Sequence, residues 1–177
     1  NANSHTILGI TRIEKSVEEY LSGKLPLNDI IRTTSYPKVG LICGTSNKTD
    51  GLSENPDKKK KLFEDIRSLD CDYVVIDLGA GVGDETLDLY NFADEKLVIV
   101  TPQFTSMENG YSFIKAAFVR SLKAKSTLLA LYEKHGRDNA AFRGAIENLP
   151  VVDVARQEYE SLLTSQKFRM IANMVSV

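Results

Sequence analysis

An α/β fold built on a mostly parallel sheet is predicted for this chain by three observations. Two continuous apolar runs, Tyr73-Val74-Val75-Ile76 and Leu97-Val98-Ile99-Val100, read as strands buried on both faces, because a strand with one wet face would alternate. Each run is followed by a stretch of helical periodicity, from Asp84 to Phe92 and from Thr105 to Leu122. The first run ends in a single carboxylate and a glycine-rich turn, Asp77-Leu78-Gly79-Ala80-Gly81-Val82-Gly83. The carboxyl edge of the strands is where open α/β sheets bind ligands. There a carboxylate can hold a metal-bound water, and exposed loop amides can face phosphate oxygens.

The elements follow in order. Ser16 and Glu19 have the spacing of a capping box and predict a short helix from Ser16 to Leu21, which Gly23 and Pro26 break. Leu27 to Ile31 suggests another helical turn. Val39 to Cys43, between Pro37 and Gly44, is a short strand candidate, and Thr45 to Glu54 is a polar loop at the same sheet edge as Asp77 if the strands are parallel. Asn55-Pro56 starts a helix, Asn as N-cap and Pro at the first helical position; Leu62, Phe63, Ile66 and Leu69 form its apolar stripe. Lys58 to Lys61 reads either as a solvated face or as a patch for an acidic partner or membrane surface.

Asp84 and Glu85 suit the positive end of the next helix, and a catalytic role for them stays open. Lys96 to Thr101 is the second buried strand, ended by Pro102. Thr105 and Glu108 repeat the capping-box spacing, and Tyr111, Ile114, Phe118 and Leu122 lie at core spacing on the helix that follows; Tyr111 is alternatively a stacking platform for a ligand. The 124–166 region is helical in pattern, with Pro150 and a brief Val151-Val152 inside it, and reads as a helical insertion or lid between strands. Phe168 to Met174 is the last strand, with Asn173 near its end.

Composition narrows the function. The chain has 177 residues, 42% hydrophobic and 26% charged, enough for one domain with a sizeable core. A net charge of -2 gives no global attraction to nucleic acid or anionic membrane. No apolar run reaches the roughly 20 residues that span a bilayer. Cys43 and Cys71 do not make a disulfide framework and read as core thiols beside strands. His5 and His135 lack partners at ligand spacing, so no transition-metal site is predicted; His135 instead suits a helix C-terminus.

The stretch from Asp77 to Gly83, with Ala93-Asp94-Glu95, the Val100-Thr101-Pro102 strand end and Thr105-Ser106-Met107-Glu108-Asn109-Gly110-Tyr111, resembles the later part of MinD/ParA-type P-loop ATPases. Within them it is most similar to the flagellar-number and cell-positioning regulators. The residues from His5 to Ile10 resemble the helix start after the family's first switch aspartate, and Ile171-Ala172-Asn173 its adenine-reading strand end.

The resemblance implies a three-layer P-loop-NTPase-like domain spanning 1–177, incomplete, with the helical insertion at about 124–166. It implies ATP and Mg²⁺ as cofactors, Asp77 acting catalytically through magnesium-bound water, the backbone of Gly79, Ala80 and Gly81 sensing the γ-phosphate, and Asn173 recognising adenine. A side-chain amide offers the donor and acceptor that adenine's edge requires; a turn-forming Asn173 is the other reading. Implied for the intact protein are an ATP-dependent homodimer, a regulatory protein partner and slow hydrolysis used in partitioning, division-site or flagellar placement. No specific nucleic acid is expected, and the setting is cytoplasmic, with a peripheral place at the inner membrane left open.

One part of the family pattern is missing. These residues contain no G-x-x-x-x-G-K-[ST] phosphate loop. Their one Gly-Lys pair, Gly23-Lys24, is followed by Leu25. The loop and its central strand are expected upstream of Asn1, so this stretch alone is expected to form a reduced sheet and not to hydrolyse ATP. Two alternatives remain: a non-catalytic interaction module on the same scaffold, and a ligase-like enzyme, for which Arg120 lies too far along its helix.

Overall fold

The structure is a computed structural model that describes residues 4–44, 55–123, 125–136 and 138–173. The expected 45–54 loop and the end of the last strand, from Met174 on, lie outside these residues. The chain forms two compact units, Asn1–Gly79 and Ala80–Val177.

In the first unit α1 (Ser4–Ile7) leads to α2 (Val17–Leu21), a 3₁₀ turn (Leu27–Ile30), β1 (Arg32–Thr33), β2 (Gly40–Leu41) and α3 (Pro56–Arg67). The predicted capping box is present: the Glu19 carboxylate accepts from the Ser16 amide at 2.8 Å and from the Ser16 hydroxyl. These bonds, the hydroxyl's first, hold the Glu19 pKa below the usual carboxylate value. Asn55 caps α3 as expected, its side chain accepting from the Lys58 amide at 3.1 Å. The core joins Tyr20, Leu27, Ile30 and Leu62, with Phe63, Ile66 and Leu69 of the α3 stripe packed on it. Buried Tyr20 donates its hydroxyl to Asp65 at 2.7 Å and so fastens α2 to α3.

The strand candidate Val39–Cys43 is present but shorter, Gly40–Leu41, and it pairs antiparallel in a two-residue hairpin, Arg32 opposite Leu41 and Thr33 opposite Gly40. Lys38, at φ 63°, turns the chain between them. The Tyr73–Asp77 run forms no strand among the described residues, and Tyr73 and Val75 are each 89% exposed. Such a strand is buried only when neighbours flank both edges and cover both faces, and no described residue pairs with it. The thiols differ as well: Cys43 is buried as expected, but Cys71 is exposed.

The second unit contains α4 (Asp84–Phe92), β3 (Leu97–Val100), α5 (Phe104–Leu122), α6 (Ser126–His135), α7 (Asn139–Glu147), α8 (Val154–Ser165) and β4 (Arg169–Ala172). The expected parallel pairing appears between β3 and β4, in register from Leu97 opposite Arg169 to Val100 opposite Ala172. A doubly covered parallel sheet is not what the described residues form: the two sheets have two strands each, one antiparallel. Val98 and Val100 are buried, while Leu97, Ile99, Met170 and Ile171 are exposed. Helix α5 packs closely on the buried side, since a Cβ on Gly110 would stand 2.8 Å from Val100 Cγ1.

The 124–166 region is three helices, as its pattern predicts, and Val151-Val152 is an exposed turn rather than a strand. Leu122, Leu128, Phe142, Ile146 and Leu162 form its core. Along it runs a chain of edge-on rings, Phe118 to Tyr132 to Phe142 to Tyr159, with centroids 6.5, 5.3 and 6.0 Å apart. Asp138 and Asp153 cap α7 and α8 with side-chain bonds to backbone amides.

Candidate functional site

The five residues singled out from sequence divide between the units. Asp77 and Gly79 belong to the first; Ala80, Gly81 and Asn173 belong to the second. Asp77 is exposed and accepts a hydrogen bond from the Ser4 hydroxyl at 2.6 Å. Ser4, on α1, was not anticipated; local sequence gives no sign of a partner 73 residues away. A carboxylate beside a hydroxyl is a hard-oxygen donor set of the kind magnesium accepts when phosphates and water complete its shell. Among the described residues no group of three or more His, Cys, Asp or Glu could hold a metal ion.

Glycines at 79, 81 and 83 leave the turn free to take positive φ or to approach a ligand closely. None has positive φ; those values fall at Gly9 and Gly23 among the described glycines. A Cβ at any of the three would meet nothing within 4 Å. The turn is therefore open and exposed, with room beside its backbone.

In the second unit the register brings two predicted features to one edge. Asn173 follows β4 directly, and its amide donates to the Val100 carbonyl at 2.8 Å. Thr101 follows β3, and its amide donates to the Ser106 hydroxyl at 3.0 Å, in the first turn of α5. Asn173 thus stands exposed at the carboxyl end of a parallel pair, beside the start of a helix. The second capping box does not form, because α5 starts at Phe104 with Gln103 as N-cap, which places Thr105 inside the helix. Tyr111, expected in the core, is exposed instead.

Arg120 is the residue the sequence reading undervalued. Its guanidinium is mostly buried, Nε and Nη2 donating to mostly buried Asp88 at 2.7 and 2.8 Å and Nη1 to half-exposed Asp84 at 2.6 Å. The Asp88 bonds first, and the two carboxylate charges with them, raise the guanidinium pKa further still. Asp84, which could be read as catalytic, therefore serves to clamp α4 to α5. The available signal was the i, i+4 spacing of Asp84 and Asp88, which stacks two carboxylates on one helix face.

Lys96 was missed too. Only 3% exposed, its Nζ donates to the Ala93 carbonyl at 2.7 Å and the Ser165 carbonyl at 2.9 Å, at the ends of α4 and α8. Burial pushes its pKa down, and Asp94 and Glu95 oppose that shift. The lysine run on α3 is partly neutralised within its helix, Lys60 by Glu64 and Lys61 by Asp65, which favours the solvated face.

Fold and edge together define a class: an α/β protein with a polar residue presented at the carboxyl edge of a parallel pair. Comparison with known proteins gives that class a relationship. Over 113 residues, 64% of this chain and 42% of the relative, it is 26% identical to an uncharacterised ATP-binding protein of Methanocaldococcus jannaschii. It is 27% identical over 117 residues to the antiactivator FleN of Pseudomonas aeruginosa, covering 64% of this chain and 41% of FleN. Against the flagellum site-determining protein YlxH of Helicobacter pylori it is 28% identical over 122 residues, covering 64% of the chain and 39% of the relative. The chain spans about two fifths of the length of these curated relatives. No protein-family model and no solved structure matches it. At low identity and over part of the chain, these likenesses support kinship with the MinD/ParA-type ATP-binding proteins. No helix among the described residues is long and apolar enough to cross a membrane.

Proposed function

We propose that the intact protein is an ATP-binding switch of the MinD/ParA type, with slow hydrolysis, used in spatial regulation such as partitioning, division-site or flagellar placement. The observation that carries this reading is the in-register parallel pair β3–β4, which holds Asn173 at a carboxyl sheet edge. The names of the relatives support it, one as an ATP-binding protein and another as a flagellum site-determining protein. In this reading the fold is a three-layer P-loop-like domain and Asn173 reads the adenine edge. Asp77, with Ser4 beside it, holds a magnesium-bound water. The amides of Gly79, Ala80 and Gly81 meet the γ-phosphate, and the nucleotide brings two copies together for a regulatory partner. Magnesium would supply charge neutralisation at the phosphates; the chain's own part is to orient the water and the base.

The test is equilibrium binding and turnover of a labelled ATP analogue by the full-length protein in magnesium. Asp77→Ala is expected to lower turnover about a hundredfold. Asn173→Ala is expected to weaken ATP binding about tenfold, the effect of one directed hydrogen bond to the base. Unchanged affinity and turnover in Asp77→Ala would remove its assigned role.

A second reading is a non-catalytic interaction module on the same scaffold. Full-length protein that binds no ATP would establish that reading in place of the first.

A further inference from the structure

We infer that the groove between α4 and α5 is a docking site for an acidic, amphipathic helical segment of a partner protein. The groove is a shallow, open concavity of about 400 Å³ whose lining includes Leu87, Ala116 and Val119, the lysines Lys115 and Lys123, and Asp84, which is held by Arg120. Arg120 also lines it, but its charge is already matched by Asp84 and Asp88. The unmatched charge belongs to the two lysines. Several helical cations elsewhere face a carboxylate one turn away: Lys60 with Glu64, Lys61 with Asp65, Arg143 with Glu147 and Arg156 with Glu160. Lys115 and Lys123 have no such partner among the described residues, and the sequence explains it: no Asp or Glu occurs from Asn109 to Ser126.

The geometry specifies the occupant. Eight residues along a helix separate the two ammonium-bearing positions by about 12 Å, close to two turns. A partner helix with carboxylates two turns apart can reach both, while an apolar side chain between them enters the groove. The net charge of -2 gives the whole chain no attraction to anionic membrane. Opposite charges at a rim set orientation and selectivity, and an apolar floor supplies the buried contact.

The test uses the full chain without nucleotide, so its result is independent of the ATP-binding reading. Two fluorescein-labelled helical peptides serve as probes, one with Glu at two positions two turns apart and Leu between them, the other with Lys in place of Glu. Fluorescence anisotropy is expected to show the Glu peptide binding about tenfold more tightly, with salt weakening it. The double variant Lys115→Glu, Lys123→Glu is expected to reverse the preference, and Val119→Asp to abolish binding of the Glu peptide. Equal binding of both peptides, no binding of either, or a Glu-peptide affinity indifferent to Val119→Asp would overturn the proposal. Binding of anionic vesicles in place of the peptide would overturn it as well and assign the lysines to a lipid surface.

Discussion

Tyr20 shows how one side chain ties stability to pH. Burial, and then its bond to Asp65, pushes the hydroxyl pKa up to about 12 from an ordinary 10.0. The folded state therefore keeps a proton that the unfolded chain gives up. This contribution is complete below about pH 10 and is lost as the pH rises toward about 12. A tyrosinate absorbance titration is expected to show a late component near pH 12 that Tyr20→Phe removes and that denaturant moves to about 10, distinct from that of Tyr90, which burial also raises. A wild-type titration lacking that step would mean that the Tyr20–Asp65 bond does not persist in solution. At this scale the sequence was informative only where partners are close. Ser16 and Glu19 sit three apart and were readable as a pair, whereas Tyr20 with Asp65, and Ser4 with Asp77, meet only through folding.

Among the elements, the α4–α5 pair depends on Arg120. Its side chain and that of Asp88 are both mostly buried. Removing the guanidinium leaves a buried carboxylate without its main counter-charge. Arg120→Leu is expected to lower stability by about 3 kcal/mol, measured by urea unfolding. Arg120→Lys should recover only part, because an ammonium cannot bond both Asp88 oxygens in parallel. A loss near zero would show the fork to be a surface contact.

Helices were the legible elements. Asn55-Pro56 marked the start of α3, and the acidic pair Asp84-Glu85 marked that of α4, because capping and dipole effects act within one turn. The start of α5 was misplaced because Ser106 serves the Thr101 amide across a loop, which spacing does not reveal. The run Tyr73 to Ile76 has a strand's composition but not its structure, since burial of a strand belongs to its neighbours and not to its own residues.

For the molecule as a whole, the division at Gly79 and Ala80 falls inside the glycine turn chosen from sequence as a phosphate-sensing loop. From Gly79 to Gly83 the backbone is exposed and belongs to no helix or strand. Limited proteolysis at low protease dose is expected to cut between Leu78 and Asp84. If the full-length protein binds Mg-ATP there, the nucleotide should slow that cut, because a ligand lowers the population of open states. A turn resistant to protease without nucleotide would contradict the openness described here. The candidate edge was legible in outline, through Asn173 and the Val100-Thr101-Pro102 strand end. The surroundings of the turn were not, since they depend on contacts distant in sequence, such as that of Ser4 with Asp77.

The amine at position 96 has an evolutionary consequence. It grips the tail of α8 through a main-chain oxygen, which every residue type supplies. Substitutions at the exposed positions of that final turn can therefore accumulate without loosening the grip, provided the turn stays helical and Leu162 keeps its place in the core. The surface of the stretch between α5 and β4 is thus free to change while its core residues and the parallel pair stay in place. A lineage could remodel this lobe for new associations and leave the neighbouring edge undisturbed.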